Sequence, residues 1–394
     1  MEGRSCRWAC VLREHWMLVA AAAAASASMV VVPPDGTYLG YFDWKTIGCL
    51  FCVLAVASAL RRLGAFDRVA RIAIARFGSP RTLALTLVLT TAVFSALFTN
   101  DVALVIMLPL AAATLVELSQ VRLVPTVFAL QALAANLCGM VTPFGNPQNL
   151  YLYSYYHLGL GEFLTTMAGP FLLSAIGIIG LTWVMTGKAD RAPETSAAAR
   201  PSSPIAPVMP LPRRRLMACA LLFVVSLLAV FRLVPLIVAV AAVVATLLVI
   251  DRKALMEVDY PLLATFLCFF VFAGNMARIP ALGEGLGPLM DQWGLLVSAG
   301  VSQLISNVPA AVVLSHFTEA WQPLLVGVNI GGAGTFVGSL ASLIAIRYYI
   351  IARKVFPRLR TSDASTTARF LRSFALLNGA FFIVLVVACQ LMLG

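Results

Sequence analysis

Charge is what this chain has least of. Asp, Glu, Lys and Arg make up 11% of 394 residues, against roughly 25% in a soluble domain. With 61% hydrophobic residues and a mean hydropathy of +0.93, that shortage excludes a water-soluble fold. Segments of about ten residues with alternating polarity are missing, which excludes a membrane β-barrel. The apolar runs have the length of membrane helices instead. No Ser-His-Asp, His-Glu-x-x-His or phosphate-loop pattern occurs, so nothing supports an enzyme. Cys49-x-x-Cys52 has no second pair to complete a metal site. The eight cysteines are scattered and read as small buried hydrophobes. The net charge of +11 sits in loops beside apolar runs. It therefore reads as an orientation signal, with no nucleic-acid partner.

What is present is a set of apolar runs of spanning length. They read as nine full spans: roughly 15–33, 45–60, 124–155, 163–187, 215–231, 234–250, 259–278, 322–350 and 371–393. Two hairpins, 81–119 and 291–319, lie between them. Each hairpin arm has about 15–18 residues, marginal for a ~30 Å hydrocarbon core at ~1.5 Å per residue. The polar tip favours a re-entrant hairpin over two crossings. Facing lipid, Thr99-Asn100-Asp101 would cost several kcal/mol. The Ala-rich run 20–25 resembles a signal peptide, yet it continues to spanning length and reads as an uncleaved first helix.

Charge orders the spans. Arg61, Arg62, Arg68, Arg71, Arg76 and Arg81 precede the first hairpin. Lys188, Arg191, Arg200 and Arg213–215 lie between the halves, and Arg347, Arg353, Lys354, Arg358 and Arg360 lie near the end. All fall on one face, as does the N-terminus with Arg4, Arg7 and Arg13. The positive-inside rule makes that face cytoplasmic and leaves the C-terminus outside. Five spans separate the hairpins, an odd number, so the two halves are inverted. The expected fold is an all-α polytopic membrane protein. It has two inverted-topology repeats, about nine transmembrane helices, two re-entrant helical hairpins and two broken helices. The repeats are 1–187 and 215–394, joined by a cytoplasmic linker at 188–214. Residues 61–78 read as an amphipathic helix on the cytoplasmic surface.

Two polar signatures occur twice, in the same order. Ser95-Ala96-Leu97-Phe98-Thr99-Asn100-Asp101-Val102-Ala103 reads against Ser302-Gln303-Leu304-Ile305-Ser306-Asn307-Val308-Pro309-Ala310. Asn136-x-x-Gly139-x-x-Thr142-x-x-Gly145 reads against Asn329-x-x-Gly332-x-x-Thr335-x-x-Gly338. Helix-breaking polar segments survive in lipid only when buried in protein or lining a cavity. They point to the binding site of a secondary transporter. Half-helix N-termini attract anions, and exposed carbonyls with Asn, Ser or Thr oxygens suit Na⁺.

One half-site is expected from Thr99, Asn100, Asp101, Asn136, Thr142, Gly145, Asn146 and Asn149. The other is expected from Ser306, Asn307, Asn329, Thr335, Gly338, Ser339 and Ser342. Asn100, Asp101, Asn136, Asn307 and Asn329 are the candidates to hold Na⁺. For Asn100 and Asn307 the competing role is to cap half-helices. For Asp101, the one carboxylate placed deep in the core, it is an N-cap of the second arm. As a functional group, Asp101 would ligate Na⁺ or carry a proton. Its counterpart is Val308, so the half-sites are unequal. His316 and Cys138 lie near the motifs and read as packed residues.

At these motifs the chain resembles the ion transporter superfamily: the arsenite-permease, citrate-transporter and divalent-anion/Na⁺ symporter families. Phe98-Thr99-Asn100-Asp101-Val102-Ala103, Thr142-Pro143-Phe144-Gly145-Asn146-Pro147-Gln148-Asn149-Leu150 and Gly338-Ser339-Leu340-Ala341-Ser342-Leu343 are most similar to the arsenite-permease-like branch of bacterial anion permeases. The resemblance covers about residues 40–390. It implies a homodimer in which hairpins and broken helices slide against a scaffold. It also implies a small anionic solute with Na⁺ or H⁺ as coupling ion, and no cofactor. Dicarboxylate symporters of the superfamily carry Ser-Asn-Thr at both tips. Here the third residues are Asp101 and Val308, which argues against a dicarboxylate site. No Lys or Arg reaches the expected midplane. That keeps neutral arsenite and a cation antiport as alternatives.

Overall fold

Inside lipid a chain must satisfy its own backbone N–H and C=O groups, and helices do so within one segment. The computed structural model describes residues 16–74, 79–187 and 211–393, and no strand occurs among them. The chain starts with α1 (Trp16–Val31), α2 (Trp44–Arg62) and α3 (Ala65–Ile74). The first hairpin is α4 (Pro80–Leu97) and α5 (Asn100–Glu117). The first broken helix is α6 (Val124–Gly139) and α7 (Pro147–Tyr155), followed by α8 (Leu160–Thr186). Then come α9 (Arg213–Val230), α10 (Leu236–Ile250) and α11 (Tyr260–Ala277). The second hairpin is α12 (Pro280–Ile305) and α13 (Asn307–Leu314). The second broken helix is α14 (Trp321–Ile330) and α15 (Leu340–Val355), and α16 (Thr367–Leu393) ends the described chain.

Seven of the described helices are long and apolar enough to cross a membrane, among them α2, α8, α11 and α16. Both arms of the first hairpin qualify by themselves. The second hairpin differs. Its return arm with the following turn, Asn307–Phe317, reaches only about 16 Å, half of a ~30 Å core. Its first arm extends back to Pro280, earlier than expected, but leaves helical geometry at Trp293 (φ −131°, ψ 29°). The segment that meets the tip therefore starts close to the expected boundary.

The core lies around α6, whose residues Val127–139 are all buried. A helix apolar on every face belongs in an interior. Around it the ends are set by local chemistry. Asp43 accepts from Lys45 N–H and Thr46 N–H to cap α2. Ser79 and Thr82 form a reciprocal capping box on α4.

The expected amphipathic helix starts later than 61. The chain turns at Gly64 (φ +71°), so α3 opens at Ala65, and 75–78 lie outside the described residues. Its buried face docks on the first hairpin. The Phe66 ring meets Phe94 and Phe98 edge-on, with centroids 5.3 and 4.7 Å apart. Of the expected linker, residues 188–210 likewise lie outside the described residues.

Helix α1 packs along α11 through Ala21, Ala25 and Ser28, small residues on one face. Asn275 Nδ2 donates to Ser28 Oγ at 2.9 Å. Beyond that contact Arg278 grips Asp35 at 2.8 Å, Thr37 Oγ1 at 3.0 Å and Tyr41 OH at 3.1 Å. The Thr37 hydroxyl, and then Arg278, hold the Asp35 carboxyl down to about 2. A depressed carboxylate contributes stability above its unfolded range and loses it as pH falls through the folded value. This clasp therefore stays closed across physiological pH. On the other side, Arg62 pairs with Asp251 at 2.9 Å and with Glu257, tying α2 to the turn before α11.

Candidate functional site

The doubled sequence makes doubled bonds. At the hairpin tips, Asn100 N–H donates to the Gly145 carbonyl at 3.2 Å, and Asn307 N–H to the Gly338 carbonyl at 3.0 Å. Thr142 Oγ1 donates to the Ala96 carbonyl at 2.7 Å, and Thr335 Oγ1 to the Gln303 carbonyl at 3.2 Å. Gly145 N–H closes a turn onto Thr142 O at 3.4 Å, and Gly338 N–H onto Thr335 O at 3.2 Å. Each broken helix therefore holds the tip of its own hairpin through the same three residues.

The breaks are built by residue type. Pro147 starts α7, where its missing N–H costs nothing. Ser339 caps α15 by accepting from Ala341 N–H. Gly145 has no room for a side chain. A Cβ there would overlap the Gly139 carbonyl oxygen and sit 2.7 Å from Thr142 Oγ1 and 2.9 Å from the Ser95 carbonyl. Gly145→Ala is expected to lower the melting temperature in detergent by overpacking, at roughly 1–3 kcal/mol or more. Gly300→Ala, with nothing within 4 Å, is expected to leave it unchanged. The second tip carries strain of its own. Ser306 sits at φ 76°, ψ 154°, a region close to glycine-only.

The two half-sites cross. Asn136 Oδ1 accepts from Asn100 Nδ2 at 3.3 Å and from Ser339 Oγ, in the other half, at 2.7 Å. Its Nδ2 donates to the Gly332 carbonyl at 3.1 Å. Asn329 mirrors it. Its Oδ1 accepts from Asn146 Nδ2 and Gln148 Nε2, both at 3.2 Å, and its Nδ2 donates to Asn149 Oδ1 at 2.6 Å. The side-chain oxygens of Asn136 and Asn329 are each already taken twice. Both residues are buried and join the halves.

A small cavity, about 20 Å³ and so room for about one water, opens where the tips meet. Asn100 and Asp101 line it from one tip, and Ser306, Asn307 and Val308 from the other. Pro147, Ser339 and Leu340, at the starts of α7 and α15, line it too. Four helix N-termini, those of α5, α7, α13 and α15, thus converge on one space. Each carries a partial positive charge and unsatisfied N–H groups.

Among the described residues Asp101 is the only charged side chain lining the cavity, and no Lys or Arg does so. Its Oδ1 is buried without a hydrogen-bond partner. The N-cap of α5 is Thr99, which accepts from Val102 N–H, so Asp101 is not the cap. A buried carboxylate left unpaired needs a cation or a proton beside it. Among the described residues no three His, Cys, Asp or Glu cluster to hold a metal ion. A cation here would therefore be held by Asp101 with neutral oxygens.

Of the residues expected from sequence, Asn100, Asp101, Ser306, Asn307 and Ser339 reach the cavity. Thr142, Gly145, Thr335 and Gly338 frame the tips, while Asn146 and Asn149 belong to the crossing network. Ser342 Oγ and Asn146 Oδ1 are buried without partners. His316 packs against Tyr155 and hydrogen-bonds to the Val312 carbonyl at 3.0 Å. Sequence reasoning missed Gln303. It sits in the doubled block but has no polar twin, since Ala96 stands opposite. Its Oε1 accepts from Thr335 N–H at 2.7 Å, and its Nε2 donates to the Gly331 carbonyl at 2.7 Å. It also missed Met17, Leu262, Thr265 and Phe269, which line the cavity too.

An all-helical body, paired polar breaks and a small cavity between them define a polytopic membrane transporter. Residues 8–331 match the family described as Citrate transporter, and the chain belongs to that family. It is an integral plasma-membrane transporter and not an enzyme. It is 33% identical over 311 residues to Inner membrane protein YbiR of Escherichia coli (strain K12), covering 77% of this chain and 80% of that protein. It is 29% identical over 309 residues to Uncharacterized transporter MJ0456 of Methanocaldococcus jannaschii, covering 77% and 81%. A shorter stretch of 138 residues is 33% identical to Silicon efflux transporter LSI3 of Oryza sativa subsp. japonica, covering 34% of this chain and 27% of that protein.

Proposed function

We propose that this protein is a secondary active transporter of a small anion, an inorganic oxyanion or a carboxylate. The transport is coupled to Na⁺ or H⁺ and runs by alternating access between two inverted repeats. The observation that carries this reading is the convergence of four helix N-termini on one cavity, each hairpin tip held by the same bonds. Helix N-termini bind anions without a fixed basic side chain. The short return arm of the second hairpin supports a re-entrant loop. The positive-inside pattern supports a cytoplasmic N-terminus and an outward C-terminus. The superfamily resemblance supports a homodimer.

A second reading has its own observation. Among the described residues the cavity's one charged group is Asp101, whose buried Oδ1 has no hydrogen-bond partner, which disfavours a close anion unless a cation or proton accompanies it. A neutral oxyacid such as arsenite, moved against protons bound at Asp101, satisfies the same geometry. The name of the rice relative, a silicon efflux transporter, points the same way.

Reconstitution in liposomes separates the two. Arsenite, phosphate, sulfate, succinate and citrate are offered with and without Na⁺ and pH gradients. Gradient-driven accumulation of one anion is the expected result. Proton-driven movement of arsenite alone would move the assignment to the neutral solute. Na⁺-dependent proton movement with no solute flux would replace both by a cation antiporter.

A further inference from the structure

The cavity has two unlike walls. On one side, backbone amides and tip side chains are fixed by the hydrogen bonds of the doubled motifs. On the other stand Met17 from α1 and Leu262, Thr265 and Phe269 from α11. The spacing 262, 265, 269 puts the α11 residues on one helical face. None of the four belongs to the repeated blocks.

We infer that this α1–α11 face is the selectivity wall of the transport site, with Phe269 setting its size and Thr265 its polarity. The inference rests on the transport reading above and adds residues to it. The tip wall cannot adapt without breaking its own bonds, so discrimination by size falls to the side chains opposite. Phe269 is the bulkiest of them and is buried. Thr265 is the one polar side chain on that wall, and it too is buried. Its hydroxyl proton is used by the Pro261 carbonyl at 2.7 Å, so toward the cavity it offers lone pairs only. It therefore accepts from an O–H or N–H of the solute or its hydration shell. The helix pair is fastened elsewhere, by Ser28 with Asn275 and by Asp35 with Arg278. Changes at 265 and 269 leave those attachments intact.

Two measurements on the full chain in liposomes test this. In the first, Met17→Cys and Thr265→Cys are exposed to a small charged methanethiosulfonate reagent in membranes open to both sides. Ile176→Cys, on the outer surface of α8 that faces lipid in this reading, is the control. Both wall positions are expected to react above the wild-type background, and the control is not. In the second, uptake of arsenite, phosphate, succinate and citrate is compared among variants. Phe269→Ala is expected to shift the citrate-to-phosphate ratio toward the larger solute by about tenfold or more, the scale of pocket mismatches. Thr265→Val is expected to raise KM by about tenfold, and Thr265→Ser, which keeps the acceptor, to restore it. Wall positions that stay unreactive, or ratios and KM unmoved in both variants, would overturn the assignment. If no probe moves in the wild type, the transport reading fails, while the labelling still decides whether this face is wet.

Discussion

Asp101→Asn is expected to abolish gradient-driven transport while leaving the protein folded. The substitution keeps size and one acceptor oxygen and removes the charge. In the structure Asp101 Oδ1 is buried without a partner, and Thr99 already caps the helix. No intraprotein contact of that oxygen is lost, so the melting temperature should match or exceed that of the wild type. What disappears is the one fixed charge that lines the site among the described residues. Losing a charge-assisted contact costs about 1.5–3 kcal/mol, which is about tenfold or more in coupled uptake. The measurement is initial uptake in liposomes with an imposed Na⁺ or pH gradient, beside a thermal unfolding curve. Wild-type uptake in the variant would remove Asp101 from the coupling step. A collapsed unfolding curve would show that the carboxylate is structural after all.

Asn329→Ala should have the opposite profile and be strongly destabilising. One amide serves four buried bonds. It accepts from Asn146 and Gln148 and donates to Asn149 and to the Leu325 carbonyl. Removing it strands two amide groups, Gln148 Nε2 and Asn149 Oδ1, on residues at 0–1% exposure, while Asn146 Nδ2 keeps the Asn136 carbonyl at 3.1 Å. Each stranded group costs about 1–3 kcal/mol, so the sum is several kcal/mol even without additivity. The check is a thermal unfolding curve in detergent, where a large fall is expected. Asn136→Ala should show a smaller fall, since it strands Asn100 Nδ2 and Ser339 Oγ at the cavity edge. An unchanged curve for Asn329→Ala would mean that the two halves do not depend on this crossing. The two variants together separate residues that touch the cargo from residues that hold the site open.

The helices were legible because lipid leaves a chain little choice. Long apolar runs with polar interruptions can only be helices that break where the interruptions fall. The doubled motifs were legible for a related reason. A Thr, a Gly and an Asn at fixed spacing are costly in lipid, so their recurrence signals a recurring local structure. The bonds Thr142 to Ala96 and Thr335 to Gln303 are the same contact made twice. The tip strain at Ser306 was not legible, because a serine carries no sign of its φ.

The sequence by itself therefore determined the membrane class, the helices, the breaks within two of them and the polar residues at the tips. These follow from composition and spacing, which act over one or two helical turns. Tertiary structure alone decided which of those residues face open space and which are consumed by one another. Asn146 and Asn329 meet across 183 residues, and no local pattern announces such a pair. It also decided the opposite wall. Met17, Leu262 and Phe269 look like lipid-facing residues in sequence, because an apolar side chain reads alike whether it borders lipid or a cavity. Only the packing of α1 along α11 turns that face inward.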